Sequence, residues 1–195
     1  MSEDPDEVVS SEVAGRYERI ADGFGARLEG CRNGQWSWPT PCAEWTTADV
    51  VEHVIGVHRL IQSMLADGDV GADVGDSDLV AAWSEASGLM RSALRDPARA
   101  SHVVATPFGE MPFEDLASRV ACSDTLVHTW DLARATGQDE RLDLHAVEFA
   151  WTWMEPAGER LRASGDFGPA VLPPPDADAQ TRLLCFLGRD AEHRE

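Results

Sequence analysis

Apolar residues recur at spacings of three and four in successive stretches of this chain, and Gly- or Pro-containing segments separate one stretch from the next. With 3.6 residues per turn, such spacing places the apolar side chains on one stripe of a helix, so the chain is committed to helices packed face to face. In the first stretch, predicted from about Ser11 to Leu28, the stripe is Val13, Tyr17, Ile20, Phe24 and Leu28. Gly30, Asn33, Gly34, Pro39 and Pro41 then break the chain into a loop that carries Trp36 and Trp38. A second helix starts at Thr46, with Asp49 three residues on as a short capping box, and its core face is Val50, Val54, Val57, Ile61 and Met64.

A Gly/Asp-rich loop, DGDVGADVGDSD, leads into a third helix from about Ser77 to Arg95, ended by Pro97. Its stripe is Leu79, Ala82, Trp83, Ala86, Met90 and Ala93. His102 to Pro112 reads as extended chain with a turn at Gly109, a small hairpin. The fourth helix is expected over Phe113 to Thr136, with Gly137 as its left-handed cap and Arg134 favourable in the last turn. A fifth, from about Leu144 to Ala163, contains Pro156, which kinks or divides it. After a Pro-rich loop, a short helix from Ala179 to Leu187 ends at Gly188. The expected fold class is all-α: an up-down four-helix bundle with additional short C-terminal helices and one small hairpin. A length of 195 residues suits one core rather than two. The expected layout is an acidic flexible N-terminus (1–10), one helical-bundle domain (11–190) and a tail (191–195).

The chemistry concentrates in two helices. Asp124 and His128 are four apart on the fourth helix, which stacks two potential metal ligands one turn apart. Taking Asp124 as the origin, Val120 and Ala117 fall within about 40° of it, so the pair sits on an apolar or small-residue face. A carboxylate there is costly unless a cation neutralises it, and either a metal or an Arg from another helix meets that need. On the second helix His53 lies about 60° from Val50 and about 40° from Val57, pointing inward or along the seam. His58 lies on the opposite border of the stripe. One carboxylate and two imidazoles meeting in a bundle form a facial metal site with open positions. Asp131, one turn past His128, accepts a hydrogen bond from the free ring nitrogen of His128, anchors Arg134 or caps a neighbouring backbone. Trp45, Trp83, Trp130, Trp151 and Trp153 read as packing residues. His102, His145 and His193 read as loop or surface residues, and Cys122 faces about 160° away from Asp124.

A formal net charge of −19 opposes nucleic acid and anionic membranes as partners. No apolar run is long enough to span a bilayer, and the acidic start, MSEDPDEVV, is unlike a secretory leader. Cys31, Cys42, Cys122 and Cys185 include no C-x-x-C pair, so free thiols in a reducing cytoplasm are expected.

The segments TPCAEWTTADVVEHVIGVH and DTLVHTWDLARATGQD, with TPFGEMPFEDLA and the closing LLCFLGRD, resemble the DinB-like superfamily of metal-binding bundles. They are most similar to the actinobacterial branch related to the N-terminal domain of mycothiol-dependent maleylpyruvate isomerase. The resemblance runs from about Tyr17 to Asp190. It implies that His53, Asp124 and His128 are the metal ligands, with zinc, or another divalent transition metal, as the ion. The isomerase pattern carries Glu where this chain has Asp124, and the shorter arm draws the ion toward the fourth helix. The isomerase also has a further C-terminal domain, so its particular isomerisation is not carried over. The function expected is a metal-binding protein acting on a small molecule, as a transferase or isomerase that uses a low-molecular-weight thiol. Mycothiol would be the co-substrate, held as thiolate at the open zinc position and attacking an electrophile bound beside it. A metal-dependent hydrolase and a non-catalytic metal-stabilised binding or regulatory module are the alternatives.

Overall fold

The computed structural model describes residues 5–65, 78–106, 109–163 and 168–191, so most of the Gly/Asp-rich loop, and His193, lie outside the described residues. Four long helical segments make the core: α1 (Pro5–Glu29), α2 (Thr47–Gln62), α3 (Leu79–Arg95) and a long rod over 113–136. A short α4 (Pro97–Ala100) and the antiparallel strands β1 (Val103–Thr106) and β2 (Gly109–Pro112) lie between α3 and that rod. The chain is thus all-α with one small hairpin. Its C-terminal part adds α7 (Leu144–Met154), α8 (Gly158–Ala163) and α9 (Ala179–Phe186). Pro156 divides the fifth predicted helix into α7 and α8, as a missing N–H and a ring clash require.

The rod is not uniform. It comprises α5 (Phe113–Leu116), a π-helical turn over Ala117–Ala121 and α6 (Cys122–Thr136). A π turn inserts an extra residue into the helical repeat, so the wheel positions before it are displaced relative to those after it. The 100° wheel drawn above holds within α6 and not back to Ala117. Arg16 of α1 donates to the Ser118 hydroxyl inside this turn at 3.0 Å and lies 3.6 Å over the Phe149 ring of α7, tying three elements together.

Neighbours around the core run α1–α3–α2–α6: α1 packs on α3 and α6, and α2 packs on the same two helices. The first and second helices therefore face each other diagonally, and the segment joining them has to cross an end of the bundle. That segment holds a 3-10 turn at Gln35–Ser37, followed by Cys42 and Trp45. Lying between α1, α2 and α7, α6 is buried on nearly every side from Cys122 to Ala133.

The stripe on α1 is buried throughout, and Phe24 packs edge-on to Trp83 with ring centres 4.7 Å apart. On α2 the capping box is present: Thr46 accepts from the Asp49 backbone N–H, and Asp49 accepts from that of Thr46. The buried side of α2 is broader than the predicted stripe, with Val51, Ile55 and His58 inside while Val57 and Met64 are half-buried. Gly137 caps α6 with φ +70°, a conformation that L side chains adopt only at a cost.

His58 is wholly buried between the Tyr17 and Trp83 rings, with its Nδ1–H donating to the Val54 carbonyl at 2.8 Å. Burial dominates and takes its pKa down from 6.5 to about 4, with the Val54 bond and the Asp124 charge opposing only in part. A depressed pKa favours the neutral form in the folded state, so this contribution to stability is complete above pH 6.5 and is lost as pH falls toward 4. The metal-free protein should lose stability over that window with a slope approaching about 1.4 kcal/mol per pH unit, and His58→Gln should flatten it in denaturant melts. In the same melts at neutral pH, Thr46→Ala should cost about 1 kcal/mol by removing the cap of the helix that carries His53.

Candidate metal centre

Asp124 and His128 share one face of α6, and α2 brings His53 against them. His53 Nε2 donates to Asp124 Oδ1 at 2.9 Å, and His128 Nε2 lies 3.5 Å from the same oxygen. The two imidazole centres are 5.0 Å apart. One donor atom from each of the three residues lies within 4.8 Å of the others, so the three residues singled out in the sequence converge.

The far side of His128 is as closely defined. Its Nδ1 sits 2.9 Å from Asp131 Oδ2; a carboxylate only accepts, so Nδ1 carries the proton. Of the roles open to Asp131, the structure shows contact with His128, while Arg134 turns to Glu140 at 2.7 Å. Asp131 is wholly buried, and its second cationic partner is Arg189, which follows α9. Arg189 Nε donates to Oδ1 at 3.3 Å and an Nη to Oδ2 at 2.9 Å, a two-pronged guanidinium–carboxylate pair. The Cys42 thiol, from the segment crossing the bundle end, donates to Asp131 Oδ2 at 3.3 Å.

With Nδ1 protonated, the His128 Nε2 lone pair faces the Asp124 carboxylate, an arrangement that calls for a cation between them. In the metal-free state a proton serves. Burial opposes the charge on His128, but the Asp124 charge and hydrogen bonds to Asp124, Asp131 and Cys42 outweigh it and hold the pKa well above 6.5. Burial likewise pushes the Asp124 carboxyl up, and the two histidines more than reverse this, leaving it well below the usual carboxylate range. Asp131 falls to about 2 because Arg189 and His128 together overcome its burial. The second Asp124 oxygen, Oδ2, is buried with no hydrogen-bond partner among the described residues. An unsatisfied carboxylate oxygen beside two imidazoles suits a divalent transition metal, so the donor set fits the zinc that the resemblance implies.

Trp45, read from the sequence as a packing residue, covers the site: its ring centre lies 4.8 Å from that of His53 and 5.9 Å from that of His128, nearly parallel to the latter. The His53 side chain keeps 36% exposure, so the cluster stays open on the α2 side. Cys42 and Arg189 were not singled out in the sequence. They stand 86 and 58 residues from their partners His128 and Asp131, and no periodic pattern links them. Their only signal was a place inside the family-like strings TPCAEW and LLCFLGRD. Cys122 is buried away from the cluster, His102 and His145 are exposed, and all four cysteines are free. No helix among the described residues is long and apolar enough to cross a membrane.

A cavity of about 250 Å³ lined by Arg19, Arg27, Arg141, Leu126 and Thr129 shares no residue with this cluster. Its guanidiniums are committed to Asp143, to the Asp139 and Arg141 carbonyls and to Asp139, so they are not arranged for a ligand.

Residues 17–133 match the family described as the mycothiol maleylpyruvate isomerase N-terminal domain. An uncharacterized protein of Mycobacterium tuberculosis, from strains CDC 1551 / Oshkosh and H37Rv, is 34% identical over 178 residues, covering 89% of this chain and 95% of its own. No solved structure matches significantly.

In chelator-treated protein, His128 should remain an imidazolium at neutral pH, and Asp131→Asn should bring its titration down toward the ordinary range. Nitrogen-15 chemical shifts of the imidazole read both states, and a neutral His128 in the metal-free wild type would contradict the described balance of charges.

Proposed function

The chain belongs to the mycothiol maleylpyruvate isomerase N-terminal domain family, and from that premise and the site geometry we propose a metal-dependent thiol transferase or isomerase. Its metal, zinc or another divalent transition metal, would be held by His53, Asp124 and His128, and its co-substrate would be a low-molecular-weight thiol such as mycothiol. The observation that carries this reading is the convergence of one donor atom from each of the three residues, with both imidazoles at Asp124 Oδ1 and the second oxygen of the same carboxylate buried without a partner among the described residues. When bound, such a metal supplies a Lewis-acidic open position that lowers the pKa of a thiol at neutral pH.

The chain's own residues do the rest. Asp131 fixes the His128 ring so that Nε2, and not Nδ1, faces Asp124. Trp45 shields one side of both imidazoles from water. The exposed edge of His53, about a third of its side chain, is the side from which a small electrophile and its thiol would approach.

Hydrolysis by the same donor set needs a general base near the open position, and Asp131 is the next carboxylate along α6. It is wholly buried and committed to His128 and Arg189, which disfavours that route. A non-catalytic metal-stabilised module is favoured by a single observation, the Trp45 ring lying across both imidazoles.

Elemental analysis of the purified protein should find about one divalent metal ion per chain. Metal at 100 times its Kd should stabilise the fold by about 2.7 kcal/mol in thermal melts. His128→Ala should abolish both the bound metal and this gain. Mycothiol should raise the melting temperature further only in the metal-loaded protein. A thiol effect independent of metal would refute the mechanism, and no thiol effect in the loaded protein would leave the non-catalytic module.

A further inference from the structure

Cys42 Sγ, His128 Nδ1 and an Asp131 oxygen form a second set of three potential donors within 4.8 Å of one another. It shares His128 with the first set but uses the opposite ring nitrogen. Sulfur, nitrogen and carboxylate oxygen are a donor combination well suited to zinc or cobalt. The two sets differ in what already stands among the donors. In the first, Asp124 keeps a buried oxygen unsatisfied. In the second, the Arg189 guanidinium contacts Asp131 at 2.9 and 3.3 Å and Cys42 Sγ at 3.4 Å, with 11% of its side chain exposed.

Both sides of Arg189 are anchored. Before it, Gly188 turns the chain just past α9 with φ +85°, and the Arg189 N–H returns to the Leu184 carbonyl at 2.9 Å. A Cβ on Gly188 would meet the Pro169 carbonyl oxygen at 3.1 Å, so this turn is built for glycine. Arg189 Nη1 also reaches the Leu187 carbonyl at 2.9 Å, and Arg134 holds the Ala191 carbonyl at 2.8 Å. Neither anchor involves the cysteine or the histidine, so the arm is positioned independently of the cluster it enters.

We propose that Arg189 is a resident cation that fills the Cys42–His128–Asp131 set, excludes metal from it, and so commits His128 to coordinate through Nε2 on the Asp124 side. A guanidinium cannot lose its charge in a protein, so a metal ion could enter only by displacing the whole arm. Arg189 is a positioning residue: it acts on the metal centre through Asp131 and His128. Vacating it leaves thiol, imidazole and carboxylate around a cation-sized gap, and metal binding there would release both the Cys42 thiol proton and the His128 Nδ1 proton to solvent, with Nε2–H left facing Asp124. The clause about His128 rests on the proposed metal centre; the presence of a latent sulfur-containing site does not.

Cobalt(II) tests this, because a cysteine thiolate bound to it gives a near-ultraviolet charge-transfer absorption that imidazole and carboxylate ligands do not. Chelator-treated wild type reloaded with cobalt(II) should show no such band. Arg189→Met and the more polar Arg189→Gln should each gain it, at one thiolate per chain, and Cys42→Ser in either background should remove it. Arg189→Lys, which keeps the cation, should retain the wild-type spectrum. A thiolate band in the wild type, or its absence from whichever of the Met and Gln variants is folded by circular dichroism, would overturn the proposal. If the wild type binds no cobalt while a variant gains the band, the latent site stands and the first metal centre falls. If neither protein binds cobalt, both fall.

Discussion

The arrangement depends on a buried carboxylate, Asp124, set between two imidazoles. A bare carboxylate in such a place carries a desolvation cost of several kcal/mol, so a protein that keeps one must supply cationic partners. Here the partners form a line of alternating groups: His53, Asp124, His128, Asp131 and Arg189, each in contact with the next. The line is satisfied along its length except at the second oxygen of Asp124. Within this line of charged groups, the second Asp124 oxygen is the acceptor still open to a cation.

Delivering five side chains to one line explains several features of the fold that packing alone does not require. Three of them, Asp124, His128 and Asp131, ride on α6, whose placement between α1, α2 and α7 buries both faces. His53 arrives on α2, and its frame is set by the capping box at the start of that helix. Because α1 and α2 sit diagonally, the chain between them crosses the end of the bundle and lays Trp45 and Cys42 against His128. The π turn directly before α6 belongs to the same problem. It adjusts the helical repeat just ahead of the functional face, a setting in which π turns are frequently found.

The helices were legible because their determinants are local. The four- and three-residue spacing of Val13 to Leu28, the Thr46–Asp49 box, Gly137 and Pro156 each act within about two turns, so reading along the chain is enough. Asp124 and His128 were legible for the same reason, being one turn apart, and His53 was legible from its place beside the apolar stripe of the second helix. The π turn carries no comparable mark in its ASRVA sequence and was read as ordinary helix. Trp45 was read as packing, which it is; what the sequence withheld was that its partners are the two imidazoles. Cys42 and Arg189 were missed because their contacts join loop to helix and C-terminal arm to helix across long separations, where no periodicity operates. The charge argument still foresaw the type of partner: a carboxylate on a buried face of this helix needs a metal or an Arg from elsewhere. Arg189 meets that need at Asp131, two turns along α6 from Asp124.

The two imidazoles are held unequally, and this asymmetry bears on how such a centre would work. His128 is gripped from both sides, by Asp124 at one nitrogen and Asp131 at the other, and Arg189 stiffens the second grip. His53 is held only through Asp124 and the Trp45 face, and a third of its side chain meets solvent. Binding a ligand to a preorganised group costs less ordering entropy than binding it to a free one. The α6 pair is therefore the rigid half of the candidate centre, while the His53 edge is the half that can yield. Entry and departure of a small ligand would thus be governed at His53 and Trp45, without disturbing the buried line that fixes His128.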